Sequence, residues 1–170
     1  PHRLDPGIVH EEVVVRRADP IGVMRSQLLY RDGSRRFPDD GPVRVIYASP
    51  LVDVAANLEL VRETIEACRT ILELTPWHIR LLSKSNLLPK VDDGLAAFRQ
   101  RIIYGVSTGT LDDNLAAAFE QGTPKVSKRL ASLRELQDRG CRTFGMLCPS
   151  LPLEGDRAYD RFAADCAREI

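Results

Sequence analysis

The sequence has no surplus of charge of either sign. Lys and Arg total 24, and Asp and Glu total 24. That balance gives no support for tight, nonspecific binding along a phosphate backbone, although it leaves room for a local basic patch. No apolar run approaches the roughly 20 residues needed to span a bilayer, and no signal-peptide pattern opens the chain, so no membrane partner is expected. The four cysteines, Cys68, Cys141, Cys148 and Cys166, have no framework spacing. Cys68 and Cys166 fall on apolar helix faces, and free, buried thiols point to a reducing cytoplasm. Cys141 and Cys148 lie along one strand with six residues between them, on opposite faces, so they do not share a metal. His2, His10 and His78 do not pair at metal spacing either. The dinucleotide, P-loop, α/β-hydrolase and zincin signatures are all missing, which sets those common enzyme classes aside.

What is present is an ordinary globular mix, 44% hydrophobic and 28% charged. At 170 residues it predicts a single domain, residues 1–170, with its own core. The chain opens on Pro1-His2-Arg3 and closes inside an amphipathic segment at Cys166–Ile170. It reads as the ordered part of a longer protein.

Short apolar strands alternate with amphipathic helices. Ile8–Arg17 reads as a strand, and Asp19-Pro20 as an N-cap and N1 proline before a helix over Ile21–Tyr30. Val43–Ala48 is the next strand. Asn57–Leu74 follows as a helix with a stripe of Leu58, Val61, Ile65, Cys68 and Leu72. Further strands are expected at Trp77–Leu82, Arg101–Ser107 and Thr143–Cys148. Thr110-Leu-Asp-Asp113 has the form of a capping box. Ser127–Arg139 forms a helix stopped by Gly140 as its C′ residue. A last helix starts near Asp156.

This alternation predicts an α/β fold of parallel strands, either an open doubly wound sheet or a (β/α) barrel, whole or partial. In both, chemistry gathers at the carboxyl ends of the strands, here Ser49, Lys84, Ser107 and Cys148. Ile79 and Leu81 share one face of their strand, and His78, Arg80, Leu82 and Lys84 share the other. Ile103, Gly105 and Ser107 share a face of the next. Charge and small residues on an inward face suit a wet, ligand-holding lumen, so the pattern favours a partial barrel. Lys84 reads either as a surface lysine in a β/α loop or as a side chain placed to hold a carboxylate or phosphate. Ser107-Thr-Gly-Thr110 has the hydroxyls and backbone donors to cradle a ligand or to cap a helix. The basic run Lys125, Lys128, Arg129 reads as a solvated helix start.

Taken in order, Ala48-Ser-Pro50 with Asp53, Leu82-Ser-Lys-Ser85, Val106-Ser-Thr-Gly-Thr110, Glu120-Gln-Gly-Thr123, Lys128-Arg-Leu130 and Met146-Leu-Cys-Pro149 form a set. That set resembles the radical S-adenosylmethionine proteins of the spore photoproduct lyase-like group, over nearly the whole chain. The resemblance implies a partial (β/α) barrel that binds S-adenosylmethionine beside a [4Fe-4S] cluster and releases a 5′-deoxyadenosyl radical. It implies cofactor contacts at Lys84 and Ser107, with Ser49 and Arg129 also at family positions. It assigns no catalytic side chain. The family's Cys-x-x-x-Cys-x-x-Cys ligands are not matched by any spacing here. The family pattern puts them upstream of residue 1, so the cluster is expected only in a longer chain, and this segment alone is expected to be inactive. Substrate stays open: the group includes a DNA-lesion lyase, and the neutral charge gives nucleic acid no support. Two other readings stand beside it. One is a cluster-less relative that binds a ligand or partner through the same barrel. The other is an unrelated Schiff-base lyase or aldolase with Lys84 as nucleophile.

Overall fold

A computed structural model describes residues 18–48, 52–148 and 158–169. The strand expected over Ile8–Arg17 lies outside these residues, as does Ser49. In chain order the elements are α1 (Pro20–Leu28), β1 (Val45–Ala48), α2 (Leu58–Leu74), β2 (His78–Ser83), α3 (Leu88–Leu95), a 3₁₀ segment (Ala96–Arg101), β3 (Ile102–Thr108), α4 (Asp113–Phe119), α5 (Val126–Asp138), β4 (Arg142–Leu147) and α6 (Ala158–Glu169). The strands form one sheet in the order β1-β2-β3-β4, and every neighbouring pair is parallel.

Local chemistry sets the element ends. Asp19 accepts the Gly22 N–H at 2.8 Å and Pro20 opens α1, as its fixed φ favours. Asn57 caps α2 through the N–H groups of Glu59 and Leu60. Gly140 follows α5 at φ 76°. Its N–H reaches the Gln137 carbonyl and that of Cys141 reaches Leu136, the paired bonds of a Schellman stop.

Two expectations need correction. Thr110 does not cap α4: its hydroxyl accepts the Asp112 N–H, and Asp112 caps the helix through Asn114 and Leu115. A buried Thr in its own turn is unavailable, and the carboxylate two residues on is the stronger acceptor. The stretch between β2 and β3 also holds a helix, α3, that the strand reading passed over. Pro89 sits in its first turn, and Leu88, Val91 and Leu95 bury one face.

The core lies on one side of the sheet. Ile79 and Leu81 of β2 and Ile102, Tyr104 and Val106 of β3 pack against Val61, Cys68 and Leu72 of α2, against α3, and against Leu133 and Leu136 of α5. Leu58, expected in the α2 stripe, is exposed at the helix start. A fully buried carboxylate, Asp92, ties this layer together. It binds Arg99 and Arg139, and accepts from the Tyr104 hydroxyl and the Cys141 thiol. Burial pushes its pKa up, but the hydrogen bonds from Arg99, Arg139 and Cys141 outweigh that and hold it below the ordinary carboxylate value.

The other face of the sheet is open. Parallel pairing puts partner residues on the same face, so Tyr47, Arg80, Ile103 and Arg142 form one row across it, and Leu82, Gly105 and Phe144 the next. Tyr47, Arg80 and Met146 are exposed there. The sheet curls toward this face. Although β1 and β4 are separated by two strands, the Tyr47 hydroxyl reaches the Met146 sulfur at 3.6 Å.

Candidate functional site

Three of the four expected strand-end residues come together at the carboxyl edge of the sheet. Lys84 follows Ser83, which pairs with Val106, so Lys84 stands level with Ser107 on the adjacent strand. Cys148 lies just past β4: its carbonyl accepts the Ser107 hydroxyl at 3.0 Å, and its N–H donates to Thr108. The fourth, Ser49, lies outside the described residues.

Asp53, in the loop after β1, fixes the end of β2. It accepts the Ser83 hydroxyl at 2.6 Å, the Lys84 N–H at 2.7 Å and the Ala55 N–H at 2.9 Å. The Ser83 hydroxyl in turn accepts the Ser85 N–H. With its backbone held this way, Lys84 has only its side chain free to move.

That side chain meets Glu120 at 2.5 Å, and the other oxygen of Glu120 meets Arg129 at 2.6 Å. Arg129 is not on a solvated helix start: its side chain is fully buried, while Lys125 and Lys128 are exposed. Further donors reach the carbonyls of Pro124 and Ser107 and the Thr123 hydroxyl, so four of the five guanidinium N–H groups are engaged within the protein. Fully buried, Arg129 braces Ser107 and Glu120 from behind. Burial pushes the Glu120 pKa up, but the hydrogen bonds from Lys84 and Arg129 outweigh it, so the carboxyl sits below its ordinary value and stays ionised.

Lys84 is different. Its side chain is 31% exposed, and an ammonium with one donor on Glu120 keeps two for another acceptor. The Ser107 hydroxyl donates its hydrogen bond to the Cys148 carbonyl, which leaves its oxygen lone pairs as acceptors. The edge thus offers donors for an oxyanion beside an acceptor for a hydroxyl.

The roles of Glu120 and Asp53 were not read from sequence. Glu120 did carry a signal. It is the C-cap of α4, where the helix dipole disfavours a carboxylate, so its presence called for partners elsewhere.

No protein-family model and no curated protein matches the sequence. Solved structures do. Spore photoproduct lyase complexed with dinucleoside spore photoproduct matches with a TM-score of 0.60 at 21% identity, over 74% of this chain and 36% of that one. A variant of that enzyme with bound AdoMet and dinucleoside spore photoproduct gives 0.59 at 20% over the same shares. The fold is a partial (β/α) barrel. The open sheet face is its lumen, and the edge built by Lys84 and Ser107 is the mouth. The chain spans about a third of the length of these structures (36%).

A [4Fe-4S] cluster has no seat among the described residues, where no three His, Cys, Asp or Glu side chains converge. Cys68, Cys141 and Cys166 are buried, and only Cys148 is exposed. At the mouth, Lys84 keeps donors for a carboxylate or hydroxyl oxygen, and the Ser107 oxygen keeps a lone pair for a hydroxyl. No helix among the described residues is long and apolar enough to cross a membrane.

Proposed function

We propose that this chain is the S-adenosylmethionine-binding part of a radical enzyme related to spore photoproduct lyase. The observation that carries the reading is the mouth itself. A half-buried lysine and a serine end adjacent parallel strands, held by Asp53 on one side and by Glu120 and Arg129 on the other. The barrel of the solved lyase, one form of which has AdoMet bound, is the architecture that supports it. When bound beside a reduced cluster, the cofactor would supply a 5′-deoxyadenosyl radical. This chain's residues would bind and orient it. Lys84 would donate to an oxygen of its methionyl carboxylate or ribose, and Ser107 would accept from a ribose hydroxyl. Ser49, the residue after Ala48 in sequence, would add a further contact, and Arg129 would act by positioning Ser107 and Glu120. The cluster cysteines would lie upstream of residue 1, where the resemblance puts them. Free cysteines, three of them buried, suit a reducing cytoplasm.

The Schiff-base alternative gains nothing from this geometry. A nucleophilic lysine needs a free amine lone pair, and here the ammonium is bound to an ionised Glu120.

Calorimetric titration of S-adenosylmethionine into the full-length protein tests the reading. A charge-assisted hydrogen bond is worth about 1.5–3 kcal/mol, so Lys84→Ala is expected to weaken affinity about ten- to a hundred-fold. Lys84→Arg is expected to restore it only in part, because a planar fork does not reproduce a point charge. No binding by the wild type, or equal binding by Lys84→Ala, would overturn it.

A further inference from the structure

The chain is neutral, but among the described residues the charges on the lumen face of the strands are all basic. No Asp or Glu stands on any of the four strands. The two carboxylates described at the mouth are already engaged, Glu120 by Lys84 and Arg129, and Asp53 by the Ser83 hydroxyl and the Lys84 and Ala55 N–H groups. Deeper in the lumen, Arg80 of β2 and Arg142 of β4 stand in the same row, either side of Ile103. Strand spacing puts their backbones about 10 Å apart. Neither meets a carboxylate among the described residues, and both are exposed.

Arg80 is also held in place. The Phe144 ring lies 3.7 Å from its guanidinium carbon and the Tyr47 ring 5.7 Å. Phe144 reaches it by crossing Gly105, where a Cβ would come within 2.1 Å of the ring. The face of Phe144 thus lies against the guanidinium, with Tyr47 near the outer limit of cation–π range. What remains is its edge of N–H donors, the part that binds an oxyanion in a fork. A surface arginine kept only for solubility needs neither ring nor the glycine that admits one.

We propose that the lumen binds its substrate through a phosphate group seated on the edge of Arg80, with Arg142 as the second cation. Arg80 lies four residues below Lys84 along the strand, a separation of about 13 Å. The phosphate would anchor a substrate whose reacting end points up toward the mouth. This rests on the proposed function for its chemistry at the mouth, but the anion site stands on its own residues.

The test uses the full-length protein with inorganic pyrophosphate as the probe, read by calorimetry, and a parallel titration of S-adenosylmethionine. The expected result is saturable pyrophosphate binding that Arg80→Gln weakens about ten-fold or more and Arg80→Lys recovers in part. Phe144→Leu, which keeps the charge and removes the stacked ring, is expected to weaken it by a smaller factor. S-adenosylmethionine affinity should be the same in all three variants. No pyrophosphate binding, or binding unchanged in Arg80→Gln, would overturn the anion site. Tighter binding of malonate than of pyrophosphate would overturn the choice of phosphate over carboxylate. Pyrophosphate binding with no S-adenosylmethionine binding would sustain the anion site and reject the proposed function.

Discussion

Lys84 and Arg129 hold opposite oxygens of one carboxylate, Glu120, at 2.5 and 2.6 Å. The two ion pairs look alike in distance but differ in burial, and burial decides what each contributes. Arg129 is fully buried, whereas the Lys84 side chain is 31% exposed. Removing the partner of a buried charge costs about 3–5 kcal/mol, and exposed pairs contribute about 0–1 kcal/mol. Glu120→Ala is therefore expected to lower stability by about 3–5 kcal/mol. Lys84→Ala should cost under about 1 kcal/mol, because Glu120 keeps Arg129. Urea denaturation of both variants checks this. Equal losses would mean that Lys84 is a structural residue.

Acid should act on the same carboxylate and on Asp92. Both have folded pKa values below their ordinary values of 4.5 and 3.8. Between the unfolded and folded values the unfolded chain binds more protons, so stability falls as pH falls. The contribution is complete above about pH 5 and declines below it as each group approaches its folded pKa. Asp92→Asn is expected to flatten this acid limb. It should also lower the neutral plateau by about 1–3 kcal/mol, as donors in the core lose a charged acceptor. Chemical denaturation between pH 3 and pH 7 (roughly the window set by these values) measures both effects. An acid limb as steep as the wild type's would clear Asp92.

Much of this was legible in the sequence because it is periodic. The alternation at Ile79 and Leu81 against His78, Arg80, Leu82 and Lys84 appears in the structure as a core face and a lumen face. Strand ends level with one another follow from parallel pairing, so Lys84 and Ser107 needed only their strands to be found. What was not legible depends on partners distant in sequence. Arg129 looks like Lys125 and Lys128 until Glu120 and the Ser107 carbonyl are brought against it. Helix α3 is short and carries a proline, and its three apolar contacts are meaningful only once α2 and α5 frame them. The stacking of Arg80 depends on a ring from β4 crossing a glycine of β3, and no local pattern announces that.

The thiols should divide three to one. Cys68, Cys141 and Cys166 are buried and Cys148 is exposed. Burial pushes the Cys68 thiol up to about 12, and burial with the Asp92 charge pushes Cys141 up to about 11. The thiolate is the reactive form. Under native conditions a disulfide reagent such as dithionitrobenzoate should therefore label Cys148 quickly and the others only on unfolding. The same dispersion predicts that this chain by itself gains no stoichiometric [4Fe-4S] absorbance after anaerobic iron–sulfide reconstitution, since three convergent thiolates are required. Fast labelling of two or more thiols would contradict the packing, and a stoichiometric cluster would contradict the expectation that its ligands lie elsewhere.

Gly105 tests the lumen most directly. A Cβ there would sit 2.1 Å from the tip of Phe144, far inside contact distance. The ring lies on the open face, so it has somewhere to go, and the core behind the strand need not move. Gly105→Ala should therefore cost only about 1 kcal/mol, the lower end for an overpacked site. Part of the loss is the stacking of Phe144 on Arg80, which is worth about 0.5–1 kcal/mol where exposed. If displacement of the ring is the whole effect, Phe144→Ala should remove it. The double variant Gly105→Ala, Phe144→Ala should then be no less stable than Phe144→Ala alone, giving a coupling of at least about 0.5 kcal/mol in a double-mutant cycle. Simple additivity would show that Gly105 is required for the backbone of β3 and not for the ring that covers Arg80.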